Sequence, residues 1–296
     1  MTQPGLLLVD KPAGMTSHDV VAKIRKLAGT RKVGHAGTLD PMATGLLVLG
    51  IESSTKLLTF IVGATKTYEA TIRLGYSTLT DDREGETLSV AEPKRLRGIT
   101  QEQIAKAIVS LTGVIQQVPS AVSAIKVDGE RAYARVRAGE SVELKSREVT
   151  VSRFSILGEI RARDTYIDLD VIVDCSSGTY IRALARDLGN ILEVGGHLTE
   201  LRRTRVGNFD VADALILAEA VGGQLPIIPD YVAVTKILPV IACSEEEAVE
   251  IRQGKKIVGE VLSPTAMIVS GQLVAVLEQA DPGRLKSLVV FEDRNV

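Results

Sequence analysis

Residues 34–45 read Gly34-His-Ala-Gly-Thr-Leu-Asp-Pro-Met-Ala-Thr-Gly45. Three glycines, a proline and one carboxylate make this stretch too irregular for a helix or a strand. Gly34 and Gly37 permit backbone angles that a Cβ forbids. Pro41 moves Asp40 out of the helical region toward an extended conformation. The following Gly45-Leu-Leu-Val-Leu-Gly50 reads as a short buried strand. Asp40 is therefore expected at the end of a shaped loop, anchored by a strand, where it can be reached. An Asp-Pro turn closing a β connection uses the same residue types, so the stretch alone does not choose between the two readings.

Toward the N-terminus, Gly5-Leu-Leu-Leu-Val9 is a compact strand that ends in Asp10-Lys-Pro-Ala-Gly14. Thr16 or Ser17 then caps a helix with Val20, Val21, Ile24 and Leu27 on one face. Beyond the loop, 54–61 reads as a short helix. Residues 67–74 alternate with period two, placing Tyr68, Ala70, Ile72 and Leu74 together. Thr80–Gly85 is a polar loop, and the Thr100/Gln103 capping box opens a helix that buries Ile104, Ile108 and Leu111. Two short strands are expected over 114–127, then an Asp128-Gly129 turn, then a helix carrying Arg131, Arg135 and Arg137 with Tyr133 between them.

Strands at about 148–157 and 165–174 precede a helix that starts after Gly178-Thr179 and buries Ile181, Leu184, Ala185 and Leu188. Arg182 leaves that apolar face in the first turn, where a cation opposes the helix dipole. It therefore calls for an anion, which Asp40 or a phosphate would supply. Arg186 and Asp187 read as surface residues. A strand opens at His197 and ends near Gly207, followed by a helix near 211–221. A Gly- and Pro-rich passage, Gly222–Pro229, follows, and a domain boundary is expected somewhere from there to Pro239. One helix (244–252) and strands near 257–262, 266–270, 273–278 and 287–291 then make a small β-rich domain.

The 296 residues carry 35 basic and 37 acidic side chains, so a nucleic-acid partner would have to be met by locally gathered charge. Residues 1–40 supply some of it, with six basic residues against three acidic. Two cysteines and three histidines without ligand spacing argue against a disulfide framework and a zinc site. No secretory pattern and no long apolar run is present, so a cytoplasmic protein is expected. Phosphate-cradling motifs and the nucleophile elbow are missing. A lone aspartate can act at a sugar carbon as nucleophile or base, whereas two-carboxylate glycoside hydrolysis needs a second acid that the loop lacks.

Four strings, in order, sharpen this reading: Asp10-Lys-Pro-x-Gly14, Gly34-His-Ala-Gly-Thr-Leu-Asp-Pro41, Lys66-x-Tyr68 and Gly178-Thr-Tyr-Ile-Arg182. With Gln117-Val-Pro-Ser120, Lys126-x-Asp-Gly-Glu-Arg-Ala-Tyr133 and Leu201-Arg-Arg-Thr204, the series resembles the TruB family of bacterial tRNA pseudouridine synthases over nearly all of 5–210. The tail, with Arg252-x-Gly254-Lys255 and Gly271-x-Leu-Val-Ala275, resembles a PUA domain more loosely.

The resemblance implies an α+β fold: a mixed, largely antiparallel central sheet flanked by helices. A catalytic domain over 1–235, with an RNA-gripping insertion at about 120–153, would precede a PUA-like domain over 236–296. The implied activity is that of an intramolecular transferase, isomerising uridine 55 of the tRNA T-loop without cofactor or metal, after base flipping. Asp40 would be the essential carboxylate, Arg182 its ion-pair partner, and Tyr68 the residue that stacks on the base. His35, Lys66, Arg131, Tyr133, Tyr180, Leu201, Arg202 and Arg203 would contact RNA, and Lys11, Pro12 and Gly37 would brace the catalytic loop. The implied partner is the tRNA T stem-loop, met by a monomer, and the same surface would assist tRNA folding.

Overall fold

The computed structural model describes residues 3–120, 145–218 and 225–292, with the backbone of 126–127 and 130–131. The architecture is α+β, and the chain forms two compact units. The first comprises Met1–Pro41, Gly45–Ala64 and Arg205–Val296, and the second Met42–Thr44 and Thr65–Thr204. No helix among the described residues is long and apolar enough to cross a membrane.

In the first unit, strand Gly5–Lys11 pairs antiparallel with Thr44–Ile51, setting Leu7 opposite Leu49 and Val9 opposite Leu47. Successive side chains of a strand point to opposite faces, and both faces here are covered. Leu6 and Leu8 join Leu46, Val48 and Phe209 on one side. Leu7 and Val9 join Val20, Ile24 and Leu47 on the other. The helix Ser17–Ala28 supplies that second cover. Its cap is Thr16, whose hydroxyl accepts from the Asp19 N–H while Asp19 accepts from the Thr16 N–H. Gly29, at φ 64°, ends it in the left-handed region.

Two expectations for this unit are corrected. Residues 54–61 are not one helix: a 3-10 turn, Glu52–Leu57, runs into a short α-helix, Leu58–Val62. The described part of the helix expected near 211–221 is a single 3-10 turn, Val211–Asp213, followed by strand Leu215–Ile216, which pairs in parallel with Val9–Asp10. Asp210 accepts from the Ala212 N–H at 2.9 Å, Ala214 is extended, and Leu217 is buried in the cluster around Ile24. Pairing and burial here override the local helical pattern.

The C-terminal residues of the same unit form a five-stranded sheet. Its order is Val240–Ala242, Thr265–Val269, Gln272–Asp281, Arg284–Val290, Ile257–Val258. The first pair is parallel and the others antiparallel. Helix Glu245–Arg252 packs Ala248 and Ile251 against Met267, Val274 and Leu277. Ala266, Leu273, Val276 and Phe291 cluster with Leu57 and Val234. The strand Val240–Ala242 escapes sequence reading because it is short and half-exposed.

The second unit is built on Lys66–Leu74, Ile167–Cys175, Arg147–Ala162 and Gly113–Gln117, adjacent in that order and antiparallel. Tyr68, Ala70 and Ile72 lie opposite Val173, Val171 and Leu169 on the inner face. Helices Gln101–Ser110 and Ile181–Ile191 pack on this sheet. The second of them comes close to the start of strand Gly196–Val206. A Cβ on Gly189 would lie 2.2 Å from the Gly195 carbonyl carbon and from the Gly196 nitrogen.

The outer face of the sheet is polar: Thr67 donates to Asp174 at 2.6 Å, Thr71 to Asp170 at 2.7 Å, and Arg73 forks onto Asp168 at 2.8 and 2.7 Å. Strand Glu130–Arg131 pairs with Lys126–Val127, so Arg131 lies in a strand rather than on the expected helix. Tyr133, Arg135 and Arg137 fall outside the described residues.

Candidate active site

Asp40, half-buried, belongs to the first unit, and its loop is tied down on both sides. On one side, strand Val33–His35 pairs Gly34 with Gly50 and His35 with Leu49, and the Ala36 N–H reaches the Val48 carbonyl at 2.9 Å. Gly37, at φ 95°, makes the bend that a side chain would resist. Ser17, fully buried, then grips the peptide before the aspartate: its hydroxyl accepts from the Leu39 N–H at 2.9 Å and donates to the Leu39 carbonyl at 3.2 Å.

On the other side, Pro41 has no N–H, and its carbonyl takes two donors. They are the Gly14 N–H at 2.8 Å and the Lys11 ammonium at 3.3 Å. Lys11 is wholly buried, and its three protons also reach the Pro12 and Met15 carbonyls at 2.9 and 2.7 Å. Pro12 itself is exposed. The His18 and His35 rings meet edge to face at 5.6 Å beside this loop.

The second unit holds Tyr68 and Arg182. Tyr68 is 8% exposed, on the inner face of its strand. Arg182, 5% exposed, is the second residue of helix Ile181–Ile191. Its guanidinium donates to the Thr80 carbonyl at 2.8 Å and lies 3.6 Å from the Asp82 carboxylate.

Asp82 is one partner of Arg182 that sequence reading did not name. Its position is fixed by the Thr80 hydroxyl at 2.5 Å, the Glu84 N–H at 3.0 Å, and a bridge to Leu198. One turn along the helix, Arg186 pairs with Asp81 at 3.1 Å and with Asp187 at 2.9 Å, so it is engaged rather than a free surface residue. Two arginines four apart on a helix, and two successive aspartates in a loop, were the signal. Residues i and i+4 share a helix face and can meet such a loop together.

Of the remaining expected RNA contacts, Tyr180 and Arg202 are half-buried, and Arg202 reaches the Thr44 hydroxyl at 3.4 Å. Lys66, Leu201 and Arg203 are buried, at 7%, 7% and 1% exposure. Burial, followed by the neighbouring Arg203 guanidinium, lowers the Lys66 ammonium to about 8. Burial also pushes the Cys175 thiol, opposite Lys66 in register, up to about 11.

A groove of about 700 Å³ in this unit is lined by Thr71, Arg73, Tyr166, Asp168, Asp170 and His197, among others. It opens on the outer face, away from Tyr68, because residues 71 and 73 alternate with 68, 70 and 72. Two of the arginines that line it are paired with its own carboxylates, Arg73 with Asp168 and Arg161 with Asp170. Volume alone therefore does not mark the chemistry.

Residues 25–181 match the model of the TruB family pseudouridylate synthase N-terminal domain, and residues 182–222 that of the tRNA pseudouridylate synthase B C-terminal domain. The tRNA pseudouridine synthase B of Leifsonia xyli subsp. xyli is 58% identical over 284 residues, covering 94% of this chain and 93% of its own. The protein of the same name from Corynebacterium diphtheriae is 56% identical over 255 residues, covering 86% and 85%. Among solved structures, a crystal structure of a Cbf5-Nop10-Gar1 complex contains a chain that superposes with a TM-score of 0.74 at 25% identity, covering 99% of this chain and 87% of that one. By model and by identity, the chain belongs to the TruB family of pseudouridylate synthases.

Proposed function

We propose that the chain isomerises uridine 55 in the T-loop of tRNA to pseudouridine, with Asp40 as the carboxylate at the reacting nucleoside. The observation that carries this reading is the support of Asp40. Its neighbours Leu39 and Pro41 are each held by two hydrogen bonds from outside the loop. Such a clamp holds a carboxylate in one place, and an oriented group is worth far more to a reaction than a mobile one.

The reaction breaks the N1–C1′ bond, turns the uracil, joins C5 to C1′, and moves the C5 proton to solvent while N1 gains one. Atoms balance within the nucleoside, so no co-reactant enters. The stacked base must first be extruded, at a cost of about a few kcal/mol. Asp40 then attacks C1′, attacks the base or removes the C2′ proton, and all three need the same fixed carboxylate. Tyr68 stacks on the extruded ring. Arg182 places positive charge beside the site, and His35 holds the opened stem-loop.

Recognition rests on shape and backbone contacts to the folded T stem-loop, with Tyr180, Arg202, Arg131 and Tyr133 among the contacts. Residues 1–235 act as the catalytic domain of a monomer, and 236–296 as a PUA-like domain. The test is a T-arm hairpin carrying tritium at uracil C5. The chain should release tritium, and Asp40→Asn should stop release while RNA affinity persists. Undiminished release from that variant, or free uracil among the products, would overturn the proposal.

A further inference from the structure

A buried primary amide is costly unless both of its halves find partners. Gln117, 2% exposed, places both on one residue. Its Nε2 donates to the Tyr180 carbonyl at 3.1 Å, and its Oε1 accepts from the Tyr180 N–H at 2.8 Å. The amide can satisfy both only in this orientation, since a carbonyl accepts and an N–H donates.

Tyr180 is the N-cap of helix Ile181–Ile191, and its own side chain makes no capping bond. Its carbonyl also accepts the first intrahelical bond, from the Leu184 N–H at 3.2 Å. Gln117 therefore fixes, from another strand, the peptide at which the helix begins. One turn further on, Arg186 donates to the Val118 carbonyl at 2.7 Å. The end of strand Gly113–Gln117 is thus stitched to the first two turns of the helix.

Arg182 stands two residues beyond Tyr180, in the turn that frays first when a helix end is released. Its guanidinium needs that turn in place to reach Thr80 and Asp82. We infer that Gln117 is a positioning residue for Arg182, acting on the isomerisation only by holding the Tyr180 peptide. This rests on the reading of Arg182 as an active-site residue.

The experiment is a double-mutant cycle, read as single-turnover rate and as RNA dissociation constant on the tritiated hairpin. Gln117→Met, of similar size but without the amide, is expected to slow turnover by about ten- to a hundred-fold, with RNA affinity little changed. Gln117→Glu keeps the acceptor for the Tyr180 N–H and should recover part of the rate. In an Arg182→Lys background, Gln117→Met should add almost nothing, because the group it positions is already displaced.

A wild-type rate in Gln117→Met, losses that multiply across the cycle, or affinity falling in step with rate would each overturn the inference. If Gln117→Met does not fold, the Gln117→Glu cycle decides by the same criteria. Failure of the underlying reading shows separately: Arg182→Lys would turn over normally, or Asp40→Asn would remain active.

Discussion

The ammonium of Lys11 and the carbonyl of Pro41 meet at 3.3 Å inside the first unit, thirty residues apart in sequence, with no part of the lysine exposed. The same ammonium holds the Pro12 and Met15 carbonyls. Lys11→Met would leave three acceptors facing an apolar chain. An unfolding free energy lower by about 2–3 kcal/mol is expected, with turnover falling further than RNA affinity. Urea unfolding and the tritium assay together check it; unchanged stability would mean that water replaces the ammonium.

The buried pair Arg182–Asp82 should tolerate loss of one partner poorly. Asp82→Ala removes one carboxylate from beside a guanidinium of about 5% exposure, at an expected cost of about 2–3 kcal/mol. Thermal unfolding should show a large drop, and any folded fraction should turn over slowly. A variant with the wild-type midpoint would show that the pairing with Asp82 adds nothing to stability.

Lys66 makes stability depend on pH in the alkaline range. Its ordinary value is 10.5, and burial beside Arg203 lowers it to about 8 in the folded chain. Between those values the unfolded chain binds more protons than the folded one, so stability rises with pH. Below pH 8 both states carry the charge and the burial penalty is fully present. Relative to Lys66→Met, the wild type should gain roughly 2–3 kcal/mol between pH 7.5 and 10.5. Denaturant midpoints across that range test it, and parallel curves for the two proteins would refute it.

His197 acts at the acid end. Its Nδ1 lies 3.2 Å from the Tyr76 carbonyl, and since a carbonyl only accepts, Nδ1 carries the proton of a neutral ring. Burial lowers its value below 6.5. Stability should therefore fall as pH drops below about 6.5, until the folded ring also protonates. His197→Asn should lessen that fall, as melting curves at pH 7 and pH 5.5 would report.

Much of this was legible where the determining partners are close in sequence. The Thr16/Asp19 and Thr100/Gln103 capping boxes announce their helices within four residues. Period-two alternation places Tyr68 and Ile72 on one face. What was hidden depends on distant partners. Arg182 visibly called for an anion, but Asp82 lies in a loop a hundred positions earlier whose local sequence reads only as polar. Gln117 belongs to a recognisable string, yet its role depends on Tyr180. The stretch near 211–221 reads as helical because nothing local shows that Val9 and Asp10 are available as strand partners.

Gly189→Ala should destabilise by about 3 kcal/mol, because its methyl would fall 2.2 Å from backbone that has no side chain to move aside. Calorimetry would register it.

That contact makes the helix a ruler. With Gly189 seated directly on the main chain of Gly195 and Gly196, the distance back to Arg182 is set by seven residues of α-helical rise, about 10 Å. A one-residue insertion or deletion between them would swing the guanidinium by about 100°. In this chain the length of the span therefore matters more than the side chains along it.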